Sequence, residues 1–306
     1  MRPVYEGEVE WEISAGVPCK TWFKVVGDLE NRSGPALIAL HGGPGAGHEY
    51  LSPLCDLYDL AGIPIVLYDQ VGCGRSTHFR DRPGDESFWT FDLFFKELDS
   101  LIDHLKLRED GFFLFGQSWG GMLAGNFASR RPAGLRKLII EGGPASFPLF
   151  AEGCRKLIAQ LPENVRKTIE DCERRGDFES PEWQEASAEF YRRHFCRIDP
   201  MPDDVKAGLD HLQEDPTCYV TMAGPSEFTI TGYLKDWSIG DRARDIEVDT
   251  LLLNAVYDEA QDACIEPWFA GIPRVKWVTL QNSSHMLHWE ERETVMNLCR
   301  DFLVKY

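Results

Sequence analysis

Phe112-Phe113-Leu114-Phe115-Gly116-Gln117-Ser118-Trp119-Gly120-Gly121 is the stretch around which the rest of the chain falls into place. Four apolar residues, three of them aromatic, run into Gly-x-Ser-x-Gly, and a helix-compatible segment follows, Met122 to Arg131, closed by Pro132. Strand, tight turn and helix make this pentapeptide a nucleophile elbow. The turn forces the middle residue into a strained backbone conformation, and the glycines on either side keep neighbouring side chains clear. Ser118 is therefore expected at the mouth of a sheet, its hydroxyl exposed above a helix N-terminus. The plain alternative is a glycine-rich turn with no chemistry.

A serine nucleophile needs an oxyanion hole, a base and an acid. Leu37-Ile38-Ala39-Leu40 reads as a buried strand that delivers His41-Gly42-Gly43-Pro44-Gly45-Ala46-Gly47. The N–H groups of Gly42 and Gly43, with that of Trp119 after the nucleophile, are the expected oxyanion hole. A phosphate-binding loop is the competing reading, but the Lys-Ser/Thr of a P-loop is missing. His41 is expected to hold the shape of its loop. Ile63 to Tyr68 forms another buried strand, followed by Asp69-Gln70-Val71-Gly72-Cys73-Gly74-Arg75-Ser76, where Asp69 and Arg75 are expected to brace the loops through a charge-assisted hydrogen bond.

Further on, Thr250 to Val256 reads as a strand ending at Tyr257-Asp258-Glu259, and Lys276 to Leu280 as one leading to Ser283-Ser284-His285. Ser118, Asp258 and His285 thus follow one another in the order Ser…Asp…His, each just past the C-terminal end of a strand. His285 would take the proton of Ser118, and Asp258 would fix the imidazole tautomer. His288 and Asp262 are the rival base and acid. His288 falls a turn into the next helix, and Asp262 lies four residues beyond the strand end.

Between these parts the texture changes. From 145 to 240 charged helical stretches (152–161, 163–175, 182–194) replace buried strands. We read 1–144 and 241–306 as an α/β core with a mostly parallel central sheet and helices on both faces, and 145–240 as a helical cap inserted after the sixth strand. Phe91 to Leu107 is an amphipathic core helix, residues 7–14 and 18–27 an opening antiparallel pair, and Glu290 to Val304 a closing helix.

The 306 residues carry a net charge of -18, which argues against nucleic acid and anionic membrane as partners. No apolar run reaches membrane-spanning length, and the N-terminus carries no apolar signal core. Nine scattered cysteines, none spaced Cys-x-x-Cys, argue against a zinc site or disulfide framework and for a reducing, cytoplasmic location. No metal or organic cofactor is expected. The oligomeric state is not read from the sequence.

His41-Gly42-Gly43-Pro44-Gly45, Asp69-Gln70-x-Gly72-x-Gly74-x-Ser76, Gly116-x-Ser118-Trp119-Gly120-Gly121, Gly224-Pro225-x-Glu227-Phe228 and Tyr257-Asp258-Glu259 resemble the prolyl aminopeptidase (proline iminopeptidase) family of α/β-hydrolases, which includes the tricorn-interacting aminopeptidase and related L-amino-acid amidases. The resemblance runs from about residue 20 to 303. It implies an α/β-hydrolase fold and cleavage of the amide after an unblocked N-terminal residue, proline or small and apolar, in short peptides or amino-acid amides. It also implies that Glu259 and Glu227 bind the substrate's free α-amino group. Two features depart from the family pattern. Gln117 and Gly121 stand where many bacterial members read Gly-Gly-Ser-Trp-Gly-Ser, which leans toward the amidases, and Asp249 stands where a proline is usual. An esterase, lactonase or acyl-transfer enzyme with the same triad is the alternative, and a catalytically dead binding module is a third reading.

Overall fold

Strand alternation decides which side chains meet on which side of the sheet. In β3 (Ala36–Leu40) and β5 (Phe112–Gln117) every residue is buried, as a central parallel strand covered on both faces requires. Phe112 and Leu114 face one apolar layer and Phe113 and Phe115 the other. The other strands are β1 (Val4–Ser14), β2 (Val17–Val26), β4 (Ile65–Tyr68), β6 (Leu135–Glu141), β7 (Asp249–Ala255) and β8 (Val275–Leu280). The computed structural model describes residues 2–32 and 34–305. Met1 and Tyr306, the outer limits of the expected core, and Ser33 lie outside the described residues.

The eight strands form one sheet in the order β1-β2-β4-β3-β5-β6-β7-β8. β1 pairs antiparallel with β2 and β2 with β4, and all remaining pairs are parallel. This is the mostly parallel α/β-hydrolase sheet expected above. The helices are α1 (Asp56–Ala61), α2 (Phe91–His104), α3 (Trp119–Ala128), α4 (Phe147–Ile158), α5 (Glu163–Arg175), α6 (Pro181–His194), α7 (Asp203–Glu214), α8 (Thr217–Met222), α9 (Asp262–Gly271), α10 (Leu287–Glu290) and α11 (Arg292–Val304). α2, α3 and α9 contribute Phe94, Met122 and Trp268 to one apolar layer, and α1 and α11 contribute Leu57 and Met296 to the other.

Five helices, α4 to α8, lie between β6 and β7. Their starts are locally encoded. Ser146 and Ser180 accept the N–H groups of Leu149 and Trp183, and Pro148 and Pro181 occupy the first turns, where no amide donor is needed. α5 stops at Gly176, which takes the left-handed conformation. No helix among the described residues is long and apolar enough to cross a membrane.

Candidate active site

Ser118 sits between the last residue of β5 and the first of α3 with φ 56° and ψ −124°, a conformation that only tight packing sustains in a non-glycine residue. Its N–H donates to Glu141 O at 2.9 Å, and its carbonyl accepts Gly121 N–H at 2.8 Å. The flanking glycines are sterically required. A Cβ on Gly116 would lie 2.1 Å from Gly120 O, and one on Gly120 would lie 2.1 Å from Leu40 O. The elbow can therefore press against β3 only because nothing projects from these two positions.

The loops after β7 and β8 bring the expected acid and base together. His285 Nδ1 donates to Asp258 Oδ1 at 2.7 Å, and the same oxygen accepts Ala260 N–H at 2.8 Å. Both side chains are buried. Burial alone would lower the pKa of His285. The charge of Asp258 and its hydrogen bond outweigh burial, with help from Glu227 and Glu141, and raise it above the usual histidine value. His285 and Ser118 line one narrow cavity. The rivals lie elsewhere. His288 is fully buried, pairs with Glu141 through Nδ1 and with Tyr50 O at 3.0 Å through Nε2. Asp262 is exposed at the start of α9 and accepts Asn254 Nδ2–H at 2.6 Å.

The oxyanion-hole expectation needs one correction. Gly42 N–H donates to Tyr50 Oη at 2.5 Å and is already engaged. Tyr50 in turn donates to Gln117 Oε1 at 2.8 Å, and Gln117 Nε2–H donates to His285 O at 3.2 Å. A chain of side chains thus links the Gly42 loop, the elbow and the loop of the base. Gly43 lines the cavity beside Ser118, and a second small cavity holds Gly43, Ser118 and Trp119. Among the described residues the N–H groups of Gly43 and Trp119 have no backbone partner.

His41 braces its loop as expected. Burial pushes its pKa down to about 4, so it is neutral. Nε2 accepts Gln70 N–H at 2.9 Å, which leaves the proton on Nδ1, 3.0 Å from Gly42 O. Gln70 completes the brace by donating to His41 O at 2.8 Å and accepting Trp119 Nε1–H at 2.9 Å. The expected partnership of Asp69 with the Arg75 side chain is corrected. Asp69 accepts only the backbone N–H of Arg75, at 3.0 Å, and pairs with His48 Nδ1 at 2.7 Å. The Arg75 guanidinium goes to Glu6 at 2.8 Å and stacks 4.4 Å above Trp22.

Glu259 follows Asp258, and Glu227 reaches the same space from the loop after α8. The two carboxyl groups lie close enough for each to bear on the other's protonation. Burial, and for Glu259 the charges of Glu227 and Asp258, raise both above the usual carboxyl range. Oε2 of each is buried with no partner. Glu259 Oε1 also lies 3.7 Å from His285 Nε2. Glu227 lines both small cavities at Ser118 and a wider, mainly apolar one of 560 Å³ among α6, α7 and α8.

The sequence reading missed Tyr50, Gln117, Phe195 and Tyr219, all on the cavity wall. Gln117 carried a signal through its place before the serine; the others reach the site only through tertiary packing. Among the described residues two clusters elsewhere have metal-ligand chemistry, His48-Glu49-Asp69 and Cys172-Asp177-Glu182. In the first, both Asp69 oxygens are engaged by His48 and Arg75; in the second, Glu182 pairs with Arg175.

Comparison with known proteins agrees with this geometry. The family model described as alpha/beta hydrolase fold matches residues 35–292. A proline iminopeptidase of Saccharolobus solfataricus is 38% identical over 87% of this chain and 84% of its own length, and one of Thermoplasma volcanium is 38% identical over 88% of each. The crystal structure of VinJ superposes with a TM-score of 0.92 at 41% identity over 98% of both chains. That of proline iminopeptidase from Mycobacterium smegmatis superposes with a TM-score of 0.87 at 37% identity over 98% of this chain and 97% of the other. The chain belongs to the α/β hydrolases and, within them, to the proline iminopeptidase family.

Proposed function

We propose that this chain is a serine aminopeptidase that removes an unblocked N-terminal residue, proline or a small apolar amino acid, from short peptides or amino-acid amides. The observation that carries this reading is the pair Glu227 and Glu259, two buried carboxyl groups with unpartnered oxygens beside Ser118 and His285. Burying two carboxyl groups side by side with unpartnered oxygens is costly. An α-ammonium at this place would gain charge-assisted hydrogen bonds to both. An acetylated or chain-internal nitrogen would leave them unpaired, so the same two groups that bind the correct substrate reject the wrong one.

The chemistry follows from the remaining groups. Ser118 Oγ attacks the scissile carbonyl while His285 Nε2 takes its proton. The oxyanion forms against the N–H groups of Gly43 and Trp119, each worth about 2.7–4 kcal/mol in the transition state. The imidazolium, stabilised by Asp258, gives its proton to the departing amine. Water then repeats the sequence and releases the amino acid from the acyl-enzyme. Residues 145–240 act as a cap that carries Glu227 over the core formed by 1–144 and 241–306. The wider cavity gives the leaving group its path. The nine cysteines are all buried and unpaired, which supports a reducing, cytoplasmic setting.

The test is turnover of proline, alanine and phenylalanine arylamides, each with a free and an acetylated amine, by the wild type and by Glu227→Gln. Turnover restricted to free amines, and a large loss in the variant, is the expected result. Equal turnover of acetylated compounds would return the chain to the esterase and lactonase reading. Failure of a fluorophosphonate to label Ser118 would leave a binding module.

A further inference from the structure

His285 Nε2, the atom that must face Ser118, has Glu259 Oε1 3.7 Å away. Among the described residues no hydrogen bond joins Nε2 to Ser118 Oγ; the ring is fixed from its other side by Asp258 at 2.7 Å. The imidazole therefore lies between two carboxyl groups, and Glu227 meets the second of them. The groups that bear on this cluster come from every element around it. Asp258 and Glu259 follow β7, Glu141 ends β6, Glu227 follows α8, and Cys154, Tyr191 and Tyr219 come from α4, α6 and α8. His288, which pairs with Glu141, and His194, which lies within reach of the Asp258 charge, also border the cluster, but His285 is the histidine that lies against Glu259.

We propose that the substrate's ammonium replaces His285 as the counter-charge of the Glu227–Glu259 pair and so releases a neutral imidazole toward Ser118. This rests on the reading of Glu227 and Glu259 as the amine site. In the free enzyme an imidazolium is favoured by Asp258 on one side and by the charge of Glu227, the partner of Glu259, on the other, and an imidazolium cannot accept the serine proton. When an ammonium enters, it forms hydrogen bonds to the two carboxylates. The protons it makes redundant, the one held on the carboxyl pair and that on Nε2, leave to solvent. The lone pair of Nε2 is then available to Ser118 Oγ–H. The free amine thus acts as a switch on the base as well as a handle for binding, and a substrate without it loses kcat in addition to affinity.

Supplying the two halves of a substrate separately isolates the switch. p-Nitrophenyl acetate is a glycine ester without its amine, and methylammonium is the missing charge. At a pH below the raised histidine value, methylammonium should accelerate Ser118-dependent hydrolysis of the ester saturably, severalfold or more. Ser118→Ala supplies the background rate. In Glu259→Gln the acceleration should vanish, and the rising limb of the ester pH profile should move to lower pH, a shift that a merely structural role would not produce. A flat response to methylammonium, in a wild type that still turns over free-amine arylamides and refuses acetylated ones, would overturn the switch and leave the amine site intact. Ester hydrolysis without arylamide turnover would instead reject the aminopeptidase reading itself.

Discussion

The carbonyl oxygen of His194, at the end of α6, accepts the backbone N–H of His285 at 3.1 Å. The same oxygen takes Glu259 N–H at 3.2 Å, and Phe195 O takes Met286 N–H at 3.0 Å. The inserted helices are thus tied by backbone to the loops that carry His285 and Glu259. Phe195, buried with its ring centroid 5.8 Å from that of His285, packs this junction. Phe195→Ala should cost about 3–5 kcal/mol of stability and lower kcat on free-amine arylamides. Urea unfolding and steady-state kinetics, both at a temperature where the variant is folded, check this. An unchanged kcat would mean that the junction does not position His285.

The backbone of Ser118 sets function against stability. Positive φ costs a serine on the order of 1 kcal/mol or more, and glycine adopts it without that penalty. Ser118→Gly should therefore be inactive and more stable than Ser118→Ala by about 1 kcal/mol, the reverse of the usual order of these residues. Chemical denaturation of the two variants side by side decides it. If the alanine variant proves the more stable, the strain assigned to φ 56° is not there.

Much of this was legible because it is local. The apolar run of β5, the elbow and the order Ser118, Asp258, His285 lie in contiguous stretches whose periodicity and turn residues speak for themselves. The helix expected at 163–175 has those limits in the fold, since Pro162 and Gly176 bracket it. Other features are non-local. Nothing near Gly42 announces that Tyr50, eight residues on, takes its N–H. The approach of Glu227 to Glu259 rested on family resemblance, because the two come from different layers. Asp69 looked bound to Arg75 by proximity in sequence, yet His48 lies closer in space. The helices α7 to α9 were not read as helices: α8 is only six residues long, and α9 carries Pro267 in its interior.

Tyr50 offers a way to weigh the two ends of the glycine loop. Its hydroxyl is the partner of both Gly42 N–H and Gln117 Oε1. Tyr50→Phe leaves two buried polar groups unpaired, at about 1–3 kcal/mol, and loosens the loop that presents Gly43 N–H. We expect lower stability and roughly tenfold lower kcat with KM little changed, the pattern of an interaction made mainly in the transition state. A rise in kcat would show that Gly42 N–H, once freed, serves the oxyanion better than the present arrangement.

Glu97 makes a prediction away from the active site. It lies on the buried face of α2, three residues after Phe94 and four before Leu101, a position where the apolar pattern calls for a hydrophobic residue. Its Oε1 accepts Thr21 Oγ1–H at 2.6 Å and Val71 N–H at 2.8 Å, while Oε2 is buried without a partner. Burial, only partly offset by those two hydrogen bonds and reinforced by Asp69, raises its pKa from 4.5 to about 8. For an acid whose folded pKa lies above its unfolded one, the unfolded state gives up the proton first. The fold carries no penalty below the unfolded value, and destabilisation grows as pH rises from 4.5 until the folded group ionises near 8. Glu97→Gln keeps an oxygen for Thr21 and Val71 and removes the ionisation. The stability of the wild type relative to this variant should therefore fall by a few kcal/mol between about pH 5 and pH 9, at 1.36 kcal/mol per pK unit. Urea midpoints of both proteins across that range test the difference directly, since every other titrating group is common to the two. Parallel profiles would mean that Glu97 titrates alike in the folded and unfolded chain, and that its burial under β2 and the Val71 loop does not hold it in the neutral form.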